Sequence, residues 1–152
     1  MTKIMRSVQI ELAKRSLDKK WNDIYNMVNN WKEIDRYELL GYVGHECPYC
    51  HDAEKRRDVF DPNHRYSCCR FCIIHRYLCH ARSSRDDSSL VDMIQESLGE
   101  WTPLSPTAFL LAKEGINLLC KAFEEIAKLG KMSKSLKKEV KDYIVKMREK
   151  LT

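Results

Sequence analysis

Two Cys-x2-Cys pairs constrain this chain more than any other feature of its sequence. Cys47 and Cys50 form the first pair, and Cys69 and Cys72 form the second pair after 18 intervening residues. This spacing is typical of sites in which four cysteines hold one zinc ion. Each pair places two sulfurs on one tight turn, and two such turns complete a tetrahedron around the ion. The sequence therefore predicts Zn²⁺ bound by four thiolates: Cys47, Cys50, Cys69 and Cys72.

The residues after the second pair predict a helix over residues 70–82. In the segment FCIIHRYLCHAR, the apolar residues Phe71, Ile74 and Leu78 fall on one helical stripe. Two ligands on a turn, followed by two at the start of a helix, resemble a treble-clef zinc finger, and the resemblance covers residues 44–82. It implies a short hairpin between the cysteine pairs and no specific activity.

The ligand set has alternatives within the same stretch. Cys68 adjoins Cys69 and could replace it as a ligand. A histidine could also replace one sulfur, and the region offers three of them: His51, His64 and His75. On the predicted helix, Cys79 would lie about 10 Å along the axis from Cys72. We therefore expect that Cys79 does not share an ion with Cys72 and is an extra thiol.

The whole chain predicts a mainly α fold, a small helical domain with an embedded treble-clef-like metal-binding module. Residues 1–43 are the N-terminal amphipathic helical segment, and residues 44–82 are the Cys-rich module. Residues 83–152 are C-terminal helices, of which the last is basic. From Ile10 to Trp31, apolar residues recur at separations of three, four and seven residues. Such a stripe is expected to pack in the core.

Local signals mark the C-terminal helices. Ser89 has the position of an N-cap, and Pro106 has the first position of the most apolar helix, which Gly130 ends. Ser133 can cap the last helix. Cys120 lies on the apolar face of the central helix. We expect Cys120 to be a buried core residue rather than a ligand.

Length and composition indicate a single compact domain inside the cell. The chain has 152 residues, and its low content of glycine (5) and proline (4) argues against disorder. The N-terminus carries charges every few residues, and no segment reaches the roughly 18 apolar residues of a membrane span. We expect a cytoplasmic protein with no membrane span. In that compartment, and with an odd total of seven cysteines, metal ligands are more common than disulfides.

An iron–sulfur cluster is the alternative cofactor, because four clustered cysteines can also hold [4Fe–4S]. Metal-bound thiolates can be oxidised to disulfides, with loss of the metal and of local structure. Cys68 and Cys79 exceed the four ligands that zinc needs. Their oxidation could change the predicted helix over residues 70–82 and thereby the affinity for a partner.

The sequence shows little support for catalysis. It has no phosphate-binding glycine loop, no G-x-S-x-G and no H-E-x-x-H. Between the two cysteine pairs, four residues resemble part of a zinc-containing HNH nuclease, but the interval is short for that module: Asp58, Asp61, Asn63 and His64. The run Asp61-Pro62-Asn63 predicts a turn. We predict that the protein is not an enzyme.

The charge pattern favours a protein partner over nucleic acid. The net charge is +5, and residues 128–152 contain nine Lys or Arg against three Asp or Glu. Arginines around the cysteines alternate with Tyr66, Phe71 and Tyr77, which could stack on bases. Residues 46–87 nevertheless balance eight basic against seven acidic side chains. We therefore predict an interaction or regulatory protein that docks on a larger protein assembly, with a zinc-finger nucleic-acid-binding regulator as the alternative.

Overall fold

The chain is almost entirely helical where its structure is described. The structure is a computed structural model that describes residues 2–30, 36–44, 47–79, 89–99 and 106–151. These residues form seven α-helices and no strand, which confirms the mainly α prediction. The helices are α1 (Lys3–Ser16), α2 (Asn22–Asn30), α3 (Arg36–Gly44), α4 (Pro48–Phe60), α5 (Leu90–Ser97), α6 (Pro106–Leu129) and α7 (Lys134–Leu151). None of these helices is both long and apolar enough to cross a bilayer.

The N-terminal stripe packs in the core, as predicted. A π-helical turn, Leu17–Trp21, joins α1 to α2, so the backbone stays helical from residue 3 to residue 30. The buried members of the stripe are Leu17, Trp21, Ile24 and Val28. The ring of Trp21 lies 6.4 Å from the ring of Phe123 on α6. Trp31, the last residue of the predicted stripe, lies outside the described residues.

Helix α6 is the central core helix, and its predicted limits are confirmed. It starts at Pro106 and ends at Leu129, where Gly130 adopts a left-handed φ of 78°. Its most deeply buried side chains include Ala112, Ile116 and Leu119. Cys120 is also buried, with its Sγ atom 3.6 Å from the carbonyl oxygen of Trp21. The prediction that Cys120 is a core residue is therefore confirmed.

The predicted caps of α5 and α7 are present. The Ser89 hydroxyl accepts a 3.2 Å hydrogen bond from the backbone N–H of Asp92. The Asp92 carboxylate in turn accepts a 3.1 Å hydrogen bond from the backbone N–H of Ser89, which completes a capping box. At α7 the Ser133 hydroxyl accepts from the N–H of Leu136 at 3.2 Å. These local signals fix where the two helices begin.

Helix α4 fills residues 51–60 of the segment between the cysteine pairs, so the predicted hairpin is wrong. Cys47 is the N-cap of α4 and Pro48 occupies the first helical position, where its missing N–H costs nothing. The helix ends before a turn at Asp61, whose carbonyl accepts a 2.9 Å hydrogen bond from the N–H of His64. That turn confirms the prediction for Asp61-Pro62-Asn63. No strand forms in residues 47–79, and the described residues show no treble-clef module.

The predicted helix over residues 70–82 is also wrong as far as it is described. A short 3₁₀ helix covers Cys68–Phe71, and residues 72–79 form bends and turns. Residues 80–82 lie outside the described part. The apolar residues Ile74 and Leu78 are nevertheless buried, so their burial does not require the predicted helix.

Distant hydrogen-bond partners explain why residues 72–79 are not helical. The side-chain amide of Gln9 on α1 donates a 2.7 Å hydrogen bond to the carbonyl of Ile73. The first N–H groups of α5, at residues 90 and 91, donate to the carbonyls of Tyr77 and Leu78 at 2.7 and 3.0 Å. Carbonyls in a continuing helix would instead accept from N–H groups four residues ahead. Tertiary contacts thus override the local apolar pattern.

Candidate metal centre

Cys47 and Cys50 are placed by the first turn of α4. The backbone N–H of Cys50 donates to the carbonyl of Cys47 at 2.9 Å, and the two Sγ atoms lie 3.8 Å apart. Around a tetrahedral zinc ion with Zn–S bonds of about 2.3 Å, two sulfurs are separated by about 3.8 Å. The pair therefore already has the separation that one shared ion requires.

The two thiols of this pair differ in acidity. Hydrogen bonding with the Cys50 thiol lowers the pKa of Cys47 to about 7, and the ammonium group of Lys20 also favours its thiolate. The same shared proton raises the pKa of Cys50, and burial adds to this effect. Since the thiolate is the form that binds metals, Cys47 is the better prepared ligand of the pair.

Of the second predicted pair, Cys72 contacts the turn that carries the first pair. It follows the 3₁₀ helix directly, and its Sγ atom lies 4.0 Å from the carbonyl oxygen of Tyr49, which separates Cys47 from Cys50. Cys72 is half-buried and packs against the hydrophobic core. Burial raises the pKa of Cys72 to about 11, and the charge of a Cys50 thiolate contributes in the same direction.

The other predicted ligand, Cys69, has a different environment. Its side chain is exposed, and its backbone N–H donates to the Ser67 hydroxyl at 3.2 Å. The neighbouring Cys68 is half-buried, and burial raises its pKa. Among the four predicted ligands, Cys69 is therefore the one that faces solvent.

The helix on which the prediction for Cys79 rested is absent from the described residues around it. The helix that would have separated Cys79 from Cys72 by about 10 Å does not form over residues 72–79. Cys79 is half-buried and packs against the same core as Cys47 and Cys72. Burial raises the pKa of Cys79 to about 12, with further contributions from the charges of Cys72 and Cys50.

Lys20 is a half-buried cation that the sequence pattern did not single out. Its ammonium group donates a 2.9 Å hydrogen bond to the carbonyl of Val43 and lies 4.9 Å from the centroid of the Trp21 ring. Burial lowers the pKa of Lys20, whereas nearby thiolate charges raise it; these come from Cys47, Cys50 and Cys79. The position of Lys20 depends on the fold, so no spacing rule could have identified it.

The three candidate histidines have other surroundings. His51 is exposed on α4, and the exposed His64 has its Nε2 atom 2.9 Å from a carboxylate oxygen of Asp58. The Nδ1 atom of His75 accepts a 3.2 Å hydrogen bond from the backbone N–H of Tyr77. His75 also lines a separate cavity of about 170 Å³ beside α6 and α7.

Cysteine sulfurs are the most frequent candidate donors in this region, but the structure does not arrange them as a metal site. In the part of the chain that the structure describes, no three His, Cys, Asp or Glu side chains are arranged to hold a metal ion. Thiolates select zinc or iron–sulfur clusters over hard cations such as Mg²⁺.

The far end of α4 carries an exposed apolar surface. Val59 and Phe60 are 72% and 73% exposed. Phe60 borders a depression of about 440 Å³ that Arg65, Tyr66 and Arg70 also line. The guanidinium group of Arg70 lies 3.9 Å from the centroid of the Tyr66 ring. We call Val59, Phe60, Arg65, Tyr66 and Arg70 the α4 surface.

Neither a protein-family model, nor a curated protein, nor a solved structure matches this chain.

Proposed function

We propose that this chain is a non-enzymatic, metal-stapled interaction protein that docks on a protein partner. The layout of α4 carries this proposal. Its first turn holds Cys47 and Cys50, and its last turn presents Val59 and Phe60 to solvent. An ion that anchors the start of α4 would also fix the direction in which the α4 surface points.

Zinc is the proposed metal, and the Cys47–Cys50 separation supports it. A single ion can take both sulfurs at 3.8 Å, whereas in a [4Fe–4S] cluster each cysteine binds a different iron. Cys72 would be a third ligand. Cys69 or Cys79, which lie before and after Cys72 in the sequence, would supply the fourth thiolate. Binding of the ion would stabilise the fold, because few ligands are ordered before folding. Oxidation of the thiolates would release the ion and make docking sensitive to redox state.

The partner surface combines apolar and cationic groups. Val59 and Phe60 are adjacent exposed apolar residues, and aromatic and arginine side chains are frequent at the energetic centres of interfaces. Nearby carboxylates already have partners: Asp58 lies beside His64, and Asp61 accepts a 2.9 Å hydrogen bond from a backbone N–H. The best complement is a protein segment with apolar side chains flanked by carboxylates.

Single-stranded nucleic acid is the second candidate ligand of the α4 surface. The Arg70–Tyr66 contact at 3.9 Å, next to the exposed ring of Phe60, resembles the cationic and aromatic platforms on which bases stack. Such binding would weaken steeply as salt rises, because it releases counterions from phosphates. A docked protein segment held mainly by apolar contacts would respond less to salt.

A capture experiment with matched variants distinguishes these possibilities. Reduced, zinc-loaded protein is immobilised and incubated with an extract of its source cells, with and without nuclease. The test variant is Val59→Ser with Phe60→Ser. The control variant replaces two exposed apolar residues elsewhere, Ile4→Ser with Leu110→Ser, whose side chains are 79% and 61% exposed.

We expect a protein that binds the parent and the control, is lost with the α4-surface variant and resists nuclease. Equal retention by all three proteins would contradict docking through the α4 surface. Capture that nuclease abolishes, together with tight salt-sensitive binding of a single-stranded oligonucleotide, would instead establish the nucleic-acid alternative.

A further inference from the structure

We propose that the cavity lined by His75 binds a phosphate group, with Lys131, Lys137 and His75 as the side chains that contact it. The cavity measures about 170 Å³, and residues of α1, α6 and α7 form its wall together with the turn that carries His75. Such a site would act independently of the proposed metal and of the α4 surface, because none of these three side chains belongs to either.

The side chains around the cavity supply positive charge and no negative charge. Lys131 and Lys137 line it, and none of its described lining residues is Asp or Glu. Within the described part of the chain, these two lysines form no ion pair, unlike three other lysines of α6 and α7: Lys121 with Glu139, Lys138 with Asp142, and Lys146 with Glu114. Two ammonium groups without carboxylate partners on one concave surface attract an anion.

His75 adds a neutral hydrogen-bond donor to the two cations. Its Nδ1 atom accepts a 3.2 Å hydrogen bond from the N–H of Tyr77, so the proton of the neutral ring lies on Nε2. Burial lowers the pKa of His75, and the charges of Lys137 and Arg76 add to this effect, which keeps the ring neutral at pH 7. Among the described residues, Nε2 has no hydrogen-bond partner. Its N–H is therefore available to an anion in the cavity.

Hydrogen bonds hold the rest of the cavity wall in place. The side-chain amide of Gln9 donates to the carbonyl of Ile73 at 2.7 Å, and its carbonyl accepts a 2.9 Å hydrogen bond from the Tyr49 hydroxyl. Gly130 has a left-handed φ of 78°, and its N–H donates to the carbonyl of Ile126 at 2.7 Å. Except for Tyr49, these residues line the cavity. A preformed wall lowers the cost of ordering side chains when a ligand binds.

Gly130 also brings the cation of Arg6 close to the cavity. The Nε atom of Arg6 donates a 3.1 Å hydrogen bond to the carbonyl of Leu129, and a Cβ atom added at Gly130 would collide with the Arg6 side chain. The carboxylate of Glu125 does not line the cavity and accepts a hydrogen bond from the backbone N–H of Ser133. Its negative charge is therefore engaged at the start of α7.

The volume of the cavity restricts the ligand to a small anion. Pockets for drug-sized molecules measure roughly 300–1,000 Å³, and this cavity is well below that range. A phosphate monoester carries about −1.5 to −2 charges at pH 7 and offers three acceptor oxygens. Two lysines and one neutral N–H donor match that charge and number of acceptors better than they match a singly charged carboxylate. The free phosphate ion and the phosphate group of a small monoester share this chemistry.

An NMR titration of the reduced, full-length protein tests the site without any substitution. Inorganic phosphate is added at about 0.15 M sodium chloride, which screens nonspecific attraction to exposed lysines. We expect saturable shifts of the His75 ring signals and of the amides of residues 131–137. Glycerol phosphate is titrated in the same way: comparable binding would identify a monoester as the ligand, and binding of inorganic phosphate alone would identify the free ion. No saturable shift at these residues with either anion would overturn the proposal.

Two double variants of equal charge provide the second test, with circular dichroism to confirm folding. Lys131→Met with Lys137→Met should weaken phosphate binding by roughly tenfold or more, because it removes the charged donors. Lys141→Met with Lys150→Met is the matched control, since these exposed lysines of α7 do not line the cavity. The control should bind phosphate as the parent does. Equal weakening in both variants would show attraction to the general positive charge and would overturn the proposal. If the cavity variant does not fold, the titration of the parent protein decides alone.

Discussion

The ring of Tyr49 stacks on the ring of Phe123, with centroids 5.9 Å apart and planes inclined by 25°. Tyr49 lies between Cys47 and Cys50, and Phe123 belongs to the central helix α6. The Tyr49 hydroxyl also donates a 2.9 Å hydrogen bond to the side-chain carbonyl of Gln9 on α1. The candidate metal site is therefore joined directly to the two helices that organise the core.

Tyr49→Ala should destabilise the whole protein by about 3–5 kcal/mol, because it removes a fully buried aromatic side chain. Tyr49→Phe is the matched control, since it keeps the ring and loses only the hydrogen bond to Gln9, at about 1 kcal/mol. Urea unfolding followed by tryptophan fluorescence measures both values. Equal small effects of the two substitutions would show that the Tyr49–Phe123 contact does not couple the site to the core.

Removal of the metal should destabilise the entire chain rather than only residues 47–79. Because the site shares its core with α1 and α6, we expect a chelator to lower the midpoint of a single cooperative transition. Restoring free zinc to 100 times its dissociation constant should recover about 2.7 kcal/mol. Calorimetry of the chelated protein and of the zinc-restored protein measures the midpoint of unfolding in each state. A separate early transition, with the midpoint of the main transition unchanged, would contradict the coupling.

Gly115→Ala should destabilise the protein by roughly 1–3 kcal/mol through overpacking. An added Cβ atom would lie 2.6 Å from the Tyr143 hydroxyl and 2.8 Å from the Cγ1 atom of Ile94. The Tyr143 hydroxyl is fixed by a 2.6 Å hydrogen bond to the carbonyl of Leu111, so it cannot move away freely.

Gly41→Ala is the matched control for this contact. Gly41 lies within α3, and an added Cβ atom there meets nothing within 4 Å. Alanine should therefore stabilise the protein by up to about 1 kcal/mol through helix propensity alone. Thermal unfolding gives the sign of both changes. Two changes of the same sign would contradict the packing described around Gly115.

Asp61 should make a pH-dependent contribution to stability. Its carboxylate accepts a hydrogen bond from the N–H of Tyr66, which holds the pKa of Asp61 below its ordinary value of 3.8. The contribution is therefore fully present above that ordinary value and is lost as the pH falls through the lower pKa of the folded state. The difference in unfolding free energy between the parent and Asp61→Asn should stay constant from pH 5 to 7 and shrink below pH 4. A difference that grows on acidification would contradict this.

Local signals predicted much of the fold. Ser89, Pro106, Gly130 and Ser133 mark helix ends because caps and left-handed glycines act within a few residues. The apolar stripe from Ile10 likewise identified the buried face of the N-terminal helices, since its periodicity follows the helix itself.

The arrangement around the thiols could not be predicted in this way. The non-helical path of residues 72–79 depends on hydrogen bonds from Gln9 on α1 and from the start of α5. Those partners come from distant parts of the sequence, so a local pattern with Ile74 and Leu78 on one stripe predicts a helix instead. The hydrogen bonds from α5 also fix the backbone immediately before Cys79.

The most direct measurement is the metal content of the folded protein, purified under reducing, oxygen-free conditions. Elemental analysis and a thiol titration are made on the same sample, with circular dichroism to confirm helicity. We predict one zinc per chain and thiols that become fully reactive only after chelation. A helical, cooperatively folded chain that contains no stoichiometric metal and has freely reactive Cys47 and Cys50 would contradict the metal-stapled account. Stoichiometric iron with a charge-transfer absorption would replace zinc by an iron–sulfur cluster.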